Sequence, residues 1–394
     1  MASAALRLVD MKFRLRSLRA LSSLGLAGAV LCAFPLLVPG PAGDPEAALP
    51  VRGVWVTRWA FKSVADIDSL FDGLAAMGIN TVFFQVRGAG DAFYRSSYEP
   101  WSYVLAGSLG QDPGWDPLKT AVAEGHKRGL EVHAWVNVFT AWPVTEEGKP
   151  PDAALPEHAF LAHPDWVAVD REGRPMPIKK SETRDNYAFF SPTKREVREH
   201  VVKVIDEIVG KYRVDGVHLD YVRFPDSSYS YDAESKVAYL KANLRDSLTF
   251  SQWRTDQLTE LVGEISRSIG RVRPGTAVSA AVWQLIDGGR TGYYQDAVAW
   301  VRKGYVDFLV PMFYTLNQAD YRARLETYAD SVGAENVVAG IGAYLDGFDD
   351  GVLRSEMGLA SGCRLRGVCI FNSDFAIRYS HSIRSVLEGE AGGE

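Results

Sequence analysis

Residues Val214 to Asp226 read VDGVHLDYVRFPD, an apolar strand that ends in the carboxylate of Asp220 and runs into a loop bearing Tyr221 and Arg223. Buried strands usually end in turn residues, so an acid between an aromatic ring and a guanidinium is placed for chemistry. It could act as a nucleophile, a base or a stabiliser of developing positive charge. Asp215 precedes the strand and reads as a turn or cap residue.

Alternation along the neighbouring strands sorts further polar side chains onto common faces. His218 shares a face with Asp220, Trp135 and Asn137 share one with His133, and Arg87 shares one with Gln85. Polar groups on one face of otherwise apolar strands are costly unless they meet water, partners or a ligand. The pattern therefore aims them at one opening, although His218 and Gln85 fit a self-satisfied polar layer equally well. Aromatic residues crowd the strand ends and loops, among them Trp59, Tyr94, Trp101, Trp115, Trp142, Trp166, Tyr187, Tyr229, Tyr231, Trp283 and Tyr314. A ring with a polar edge suits a sugar, which offers C–H groups on its faces and hydroxyls on its rim. The candidate substrate-binding set is Arg87, Trp135, Asn137, His218, Tyr221, Arg223, Trp283 and Tyr314.

Other chemistries find little footing. The seven histidines include no HExxH pair and none at zinc spacing with a cysteine. GxSxG and P-loop motifs are absent as well. No motif in the sequence points to a cofactor or a metal ligand. The formal charge of −6, without a basic stripe in the sequence, argues against nucleic acid as a partner.

Apolar, β-branched runs alternate with helical patterns from Val51 onward, which predicts a parallel sheet with crossover helices. Eight strands are expected, at Gly53–Thr57, Thr81–Val86, Glu131–Val136, Gly216–Leu219, Ala277–Val282, Phe308–Met312, Val337–Ile341 and Gly367–Phe371. The fold class is α/β, a (β/α)8 TIM barrel over residues 51–388. The alternative, an open doubly wound sheet, lacks its glycine-rich phosphate turn. Long connections at Val138–Pro192 and Tyr221–Phe250 follow the third and fourth strands, on the face where barrels build active sites.

Residues 1–42 hold Arg7, Lys12, Arg14, Arg16 and Arg19, then an apolar run from Ala20 to Val38, then Pro39, Gly40, Pro41 and Ala42. That order predicts a cleaved export signal, hence an extracytoplasmic protein without stable membrane insertion, with a retained anchor as the alternative. A short linker (43–50) precedes the barrel and a tail (389–394) follows it. Cys363 and Cys369 could pair in an oxidising compartment, or Cys369 could be a buried thiol of its strand.

The blocks NTVFFQVRGAGDAFYRSSYEPWS, PGWDPL, HKRGLEVHAWVN, HPDW, DGVHLDYVRFP and PMFYT, in that order, resemble the bacterial family called glycosyl hydrolase-like ten. The resemblance implies a barrel similar to the alpha-amylase-like folds, export, and a glycosidase acting on a bacterial polysaccharide, since family members are implicated in cutting peptidoglycan glycan strands. It puts Asp220 where those barrels carry a nucleophilic aspartate. It also exposes a departure, because the fifth strand ends Val282-Trp283-Gln284 where an acid glutamate is expected. Asp91, Asp226, Asp287 and Asp374 are the acids near the mouth, and Asp91, inside a family-like block, stands first as the second catalytic group. Without a second carboxyl the chain would read as a non-catalytic carbohydrate-binding barrel.

Overall fold

The computed structural model describes residues 49–389. The predicted leader, most of the linker and most of the tail lie outside the described residues. Among the described residues no helix is long and apolar enough to cross a membrane, and Cys363 and Cys369 are both free.

The described residues form ten strands: β1 (Val51–Val56), β2 (Thr81–Arg87), β3 (Glu131–Asn137), β4 (Thr140–Pro143), β5 (Tyr187–Phe189), β6 (Gly216–Asp220), β7 (Ala277–Val282), β8 (Phe308–Pro311), β9 (Val338–Ile341) and β10 (Gly367–Phe371). Eight of them pair in parallel in the order β8-β7-β6-β3-β2-β1-β10-β9. Parallel bridges Leu309–Val337 and Met312–Gly340 join β8 to β9, which nearly closes the barrel. Around the ring, β6 therefore lies four strands from β10 in either direction.

Alternation divides the core into two layers. Trp55, Phe83, Trp135, Phe308, Val310 and Cys369 fill the barrel interior, while Val54, Phe84, Val132, Leu219 and Ile370 pack outward against the helices. The helices start where side-chain caps satisfy their first N–H groups, as with Asp116 ahead of Pro117–Lys127 and the Thr249–Gln252 capping box ahead of Phe250–Val272. Gly78 and Gly129 end the first two long helical stretches at φ +87° and +73°, the left-handed turn that feeds the next strand.

The long connections carry structure that periodicity did not predict. Strands β4 and β5 form an antiparallel pair inside the first, and the helix Ala233–Asp246 lies inside the second. That helix buries only Ser235 fully and leaves Val237, Leu240 and Leu244 exposed, so its apolar side chains do not join the core. The described residues end in two short helices, Ser373–Arg378 and Ser380–Leu387.

Strands β10 and β1 run in register with Gly367 opposite Val51. A Cβ on Gly367 would collide with the Val51 carbonyl. Gly367→Ala is expected to lower stability by about 2 kcal/mol in urea titration, because backbone yields less readily than a flexible side chain. An unchanged midpoint would mean that the seam has slack.

Candidate active site

A cavity of about 550 Å³ opens over the C-terminal ends of the strands, within the size range typical of small-ligand sites. Its wall takes Trp55, Arg58 and Trp59 from the end of β1, Trp135 and Asn137 from β3, Asp220, Tyr221 and Arg223 from β6 and its loop, Tyr314 after β8, Tyr344 after β9, and Phe371, Asn372 and Asp374 from β10 onward. Asn186 and Tyr187 reach it from the long insertion after β3. A larger groove of about 1100 Å³ runs between the outer helices Arg195–Lys211, Ala233–Asp246 and Phe250–Val272. It is the weaker candidate, because its lining holds no aromatic residue and its acids Glu199, Glu234 and Glu264 pair with Arg195, Lys194 and Arg198.

Asp220 is buried at the tip of β6, with its carboxylate turned into the cavity wall. The Trp135 indole N–H donates to Oδ2 at 3.2 Å and the Tyr221 backbone N–H to Oδ1 at 2.6 Å. The Arg223 guanidinium lies 3.8 Å from Oδ1. Burial lifts the carboxyl above the ordinary aspartate range, and Arg223, the Tyr221 N–H and the Trp135 indole oppose the rise. Tyr221 has φ +49°, a left-handed conformation that costs a side-chain-bearing residue about 1–2 kcal/mol. The turn sets the Tyr221 ring against Tyr187 and Phe189, at centroid distances of 5.6 and 5.8 Å, and Arg223 lies over that ring at 4.3 Å. Strain at this point is the mark of a constrained site.

Of the sequence-derived candidates, Asp220, Trp135, Asn137, Tyr221, Arg223 and Tyr314 line this one cavity. Asn137 donates from Nδ2 to the Gly88 carbonyl at 3.0 Å, and its buried Oδ1 has no partner among the described residues. Tyr314 packs against Tyr344 and Phe371.

Four candidates are placed elsewhere. A register shift between Gln85 and Arg87 sets Arg87 beside Val136, on the outward face, instead of beside Asn137. Its side chain is fully buried behind the barrel wall, bonded to both Glu99 oxygens and to the Asn137 and Val138 carbonyls. Asp91 is buried in the turn after β2, where Oδ1 accepts from the Ala89 N–H at 2.8 Å. It stands behind Gly88 near Arg58, and Arg58 is the residue that lines the cavity. His218 is sealed below the cavity, accepting from the Trp55 indole N–H at Nε2 and bonded through Nδ1 to Ser279, so it is the satisfied polar layer. Burial holds its pKa well below the usual histidine value. Trp283 turns over Gly288 and Gly289 and packs against Tyr293 with the rings tilted and their centroids 4.5 Å apart.

The structure adds Arg58, Tyr344, Phe371 and Asn372 to the wall, and of the further acids expected near the mouth it places Asp374 there. Asp220 and Asp374 are the carboxylates among the described lining residues; Asp220 ends β6, and Asp374 lies in the short helix just after β10, the strand opposite β6 in the ring. Asp226 and Asp287 do not line the cavity. The rule that singled out Asp220, an acid just past a strand tip, applies to Asp374 too. Sequence spacing could not rank it, because facing across a barrel is a property of closure.

The chain belongs to the glycosyl hydrolase-like 10 family, matched over residues 50–346. It is 27% identical over 337 residues to glycosyl hydrolase YngK of Bacillus subtilis, covering 78% of this chain and 62% of that protein, and so spans less than two thirds of that relative's length. Glycosyl hydrolase DigH of Escherichia coli K12 is 28% identical over 337 residues, covering 74% of this chain and 72% of DigH. In fold the chain is similar to alpha-L-fucosidase isoenzyme 2 from Paenibacillus thiaminolyticus, with TM-score 0.58 and 16% identity over 86% of this chain and 49% of that one. The catalytic domain of beta-amylase from Paenibacillus polymyxa gives TM-score 0.58 and 10% identity over 86% and 98%. At such identities the likeness concerns the barrel alone.

Behind the wall, burial alone would raise the Glu99 pKa, but Arg87 and His200 outweigh it and hold the carboxyl at about 2. Glu99→Gln would leave the Arg87 charge buried and uncompensated, and is expected to cost about 3–5 kcal/mol in urea unfolding at neutral pH. Because the folded pKa lies below the unfolded one, this contribution is complete above the ordinary glutamate pKa and fades as pH falls toward about 2. A variant as stable as wild type would show that the pair does not brace the wall.

Proposed function

We propose that this protein is an exported glycoside hydrolase acting on a bacterial polysaccharide, with peptidoglycan glycan strands or an exopolysaccharide as substrate. The observation that carries the reading is a buried strand-tip carboxylate, Asp220, that lines one aromatic-walled cavity together with a second carboxylate, Asp374. Hydrolysis of a glycosidic bond needs one carboxyl group to protonate the leaving oxygen and another to attack the anomeric carbon or activate water against it. Asp220, flanked by Arg223 and two N–H donors, suits the charged role of nucleophile or stabiliser of the oxocarbenium-like centre. Asp374 is exposed and its carboxylate has no partner among the described residues, which suits proton exchange with the leaving group and water.

Export is supported by the basic, apolar, small-residue order of residues 1–42. Mass spectrometry of the native protein should then find a new N-terminus between about residues 38 and 50. An intact Met1 in the membrane fraction would replace export by anchoring.

The alternative is a carbohydrate-binding barrel without hydrolysis, favoured by the Val282-Trp283-Gln284 end of β7, which brings no acid to the mouth. Release of soluble fragments from purified glycan strands, with and without stem peptides, separates the two. Asp220→Asn and Asp374→Asn should each keep the wild-type melting temperature and lower release by orders of magnitude, about a hundredfold or more. Full activity in either variant removes that residue from the chemistry, and a wild type that binds strands without cutting them supports the alternative.

The pH profile gives an independent check. Since burial raises the Asp220 carboxyl, the acidic limb of kcat/KM should lie above the range of an ordinary aspartate. Arg223→Gln removes a cation that opposes the rise, so the limb should move to still higher pH. A limb that stays in place would detach Asp220 from the profile.

A further inference from the structure

The rim of the cavity bears two large aromatic side chains that the fold leaves in solvent. Trp59 is 55% exposed and Tyr344 46% exposed, whereas Trp55, Trp135 and Phe83 below them are buried. Both are held in place. The Arg58 guanidinium lies 5.0 Å from the Trp59 ring centroid, and Tyr344 makes edge contacts with Tyr314 at 5.5 Å and Phe371 at 5.7 Å. An uncovered aromatic ring with a neighbour against it, beside a cavity, offers an apolar face on which a sugar can rest.

Their positions on the ring give the surface a direction. Trp59 follows β1 and Tyr344 follows β9, and these strands are the two neighbours of β10, which leads into the short helix that holds Asp374. Asp220 stands on the opposite strand. The line from Trp59 to Tyr344 thus passes the Asp374 side of the mouth and crosses the line that joins the carboxylates. A sugar chain lying along it would present one glycosidic bond to the two acids, with the sugars before and after that bond each resting on an aromatic ring.

We propose that the cleft binds the interior of a glycan chain and cuts it internally, with Trp59 and Tyr344 as sugar platforms on the two sides of the scissile bond. The proposal rests on the glycosidase reading above and adds the mode of attack and the residues that set the cleavage frame. Trp59 and Tyr344 act in binding and positioning, while the bond-breaking groups remain Asp220 and Asp374.

The test uses glycan strands freed of stem peptides, labelled at the reducing end and fractionated by length from disaccharide to dodecasaccharide. Wild type should cut inside the longer chains. Trp59→Ala and Tyr344→Ala, which alter exposed positions and should fold normally, should each lose about tenfold in kcat/KM on long chains and little on the shortest substrate cleaved. The two variants should shift the product lengths in opposite directions, because each removes the support on one side of the bond. Trp59→Phe and Tyr344→Phe, which keep a ring, should restore most of the pattern. Release of terminal sugars alone by wild type, or unchanged product lengths in both alanine variants, overturns the proposal.

Failure of the glycosidase reading is distinguished by calorimetry on Asp220→Asn with the same fractions. If wild type cuts nothing, tightening of affinity with chain length that Trp59→Ala and Tyr344→Ala both abolish still supports the platforms. Affinity independent of length, or of both rings, overturns them.

Discussion

Placing a carboxylate among aromatic side chains at the mouth of a barrel costs several kcal/mol unless the charge finds donors. Around Asp220 the donors come from three different local decisions. Trp135 is two residues below the tip of the adjacent strand, with its indole N–H reaching Oδ2. Tyr221 turns into the left-handed region, and its own N–H then meets Oδ1. Arg223, two residues on, lies over the Tyr221 ring and brings its charge near the same oxygen. Each depends on β6 ending at Asp220, so the strand, the strained turn and the loop form one device for keeping a buried acid ionisable.

Stiffness behind the cavity serves the same end. The outward turn of Arg87 binds the β2 tip to the Asn137 and Val138 carbonyls at the end of β3, and Glu99 and His200 complete that buried network. Asn137 sits beside Asp220 in the strand register, so a brace on the β3 tip also bears on the acid's neighbour. Asp91 has a comparable supporting place, holding the turn after β2 close to Arg58. Residues that carry no chemistry thereby limit how far the reacting groups can wander.

The sequence made the barrel legible because its parallel strands are buried on both faces and its helices begin and end on strong local signals, such as Asp116 and Gly129. Asp220 was legible because an acid at a strand tip breaks the apolar pattern. Arg87 was not, since a one-residue register shift moves a side chain to the opposite face and leaves no compositional trace. Trp283 and Asp91 show a related limit, for nearness to a strand end does not say which way a loop side chain turns. That Asp220 and Asp374 line one cavity depends on how the sheet curls into a ring, and local pattern cannot supply that.

The account turns on whether one sugar linkage can lie between these two carboxylates. A crystal structure of the Asp220→Asn variant with a bound glycan fragment tests this most directly. An anomeric carbon should lie within about 3.5 Å of the residue 220 side chain, with the glycosidic oxygen within about 3.2 Å of the Asp374 carboxyl or linked to it through one water. A fragment seated in the cavity with its glycosidic oxygens out of reach of both residues, or bound in the groove between the outer helices instead, would contradict it.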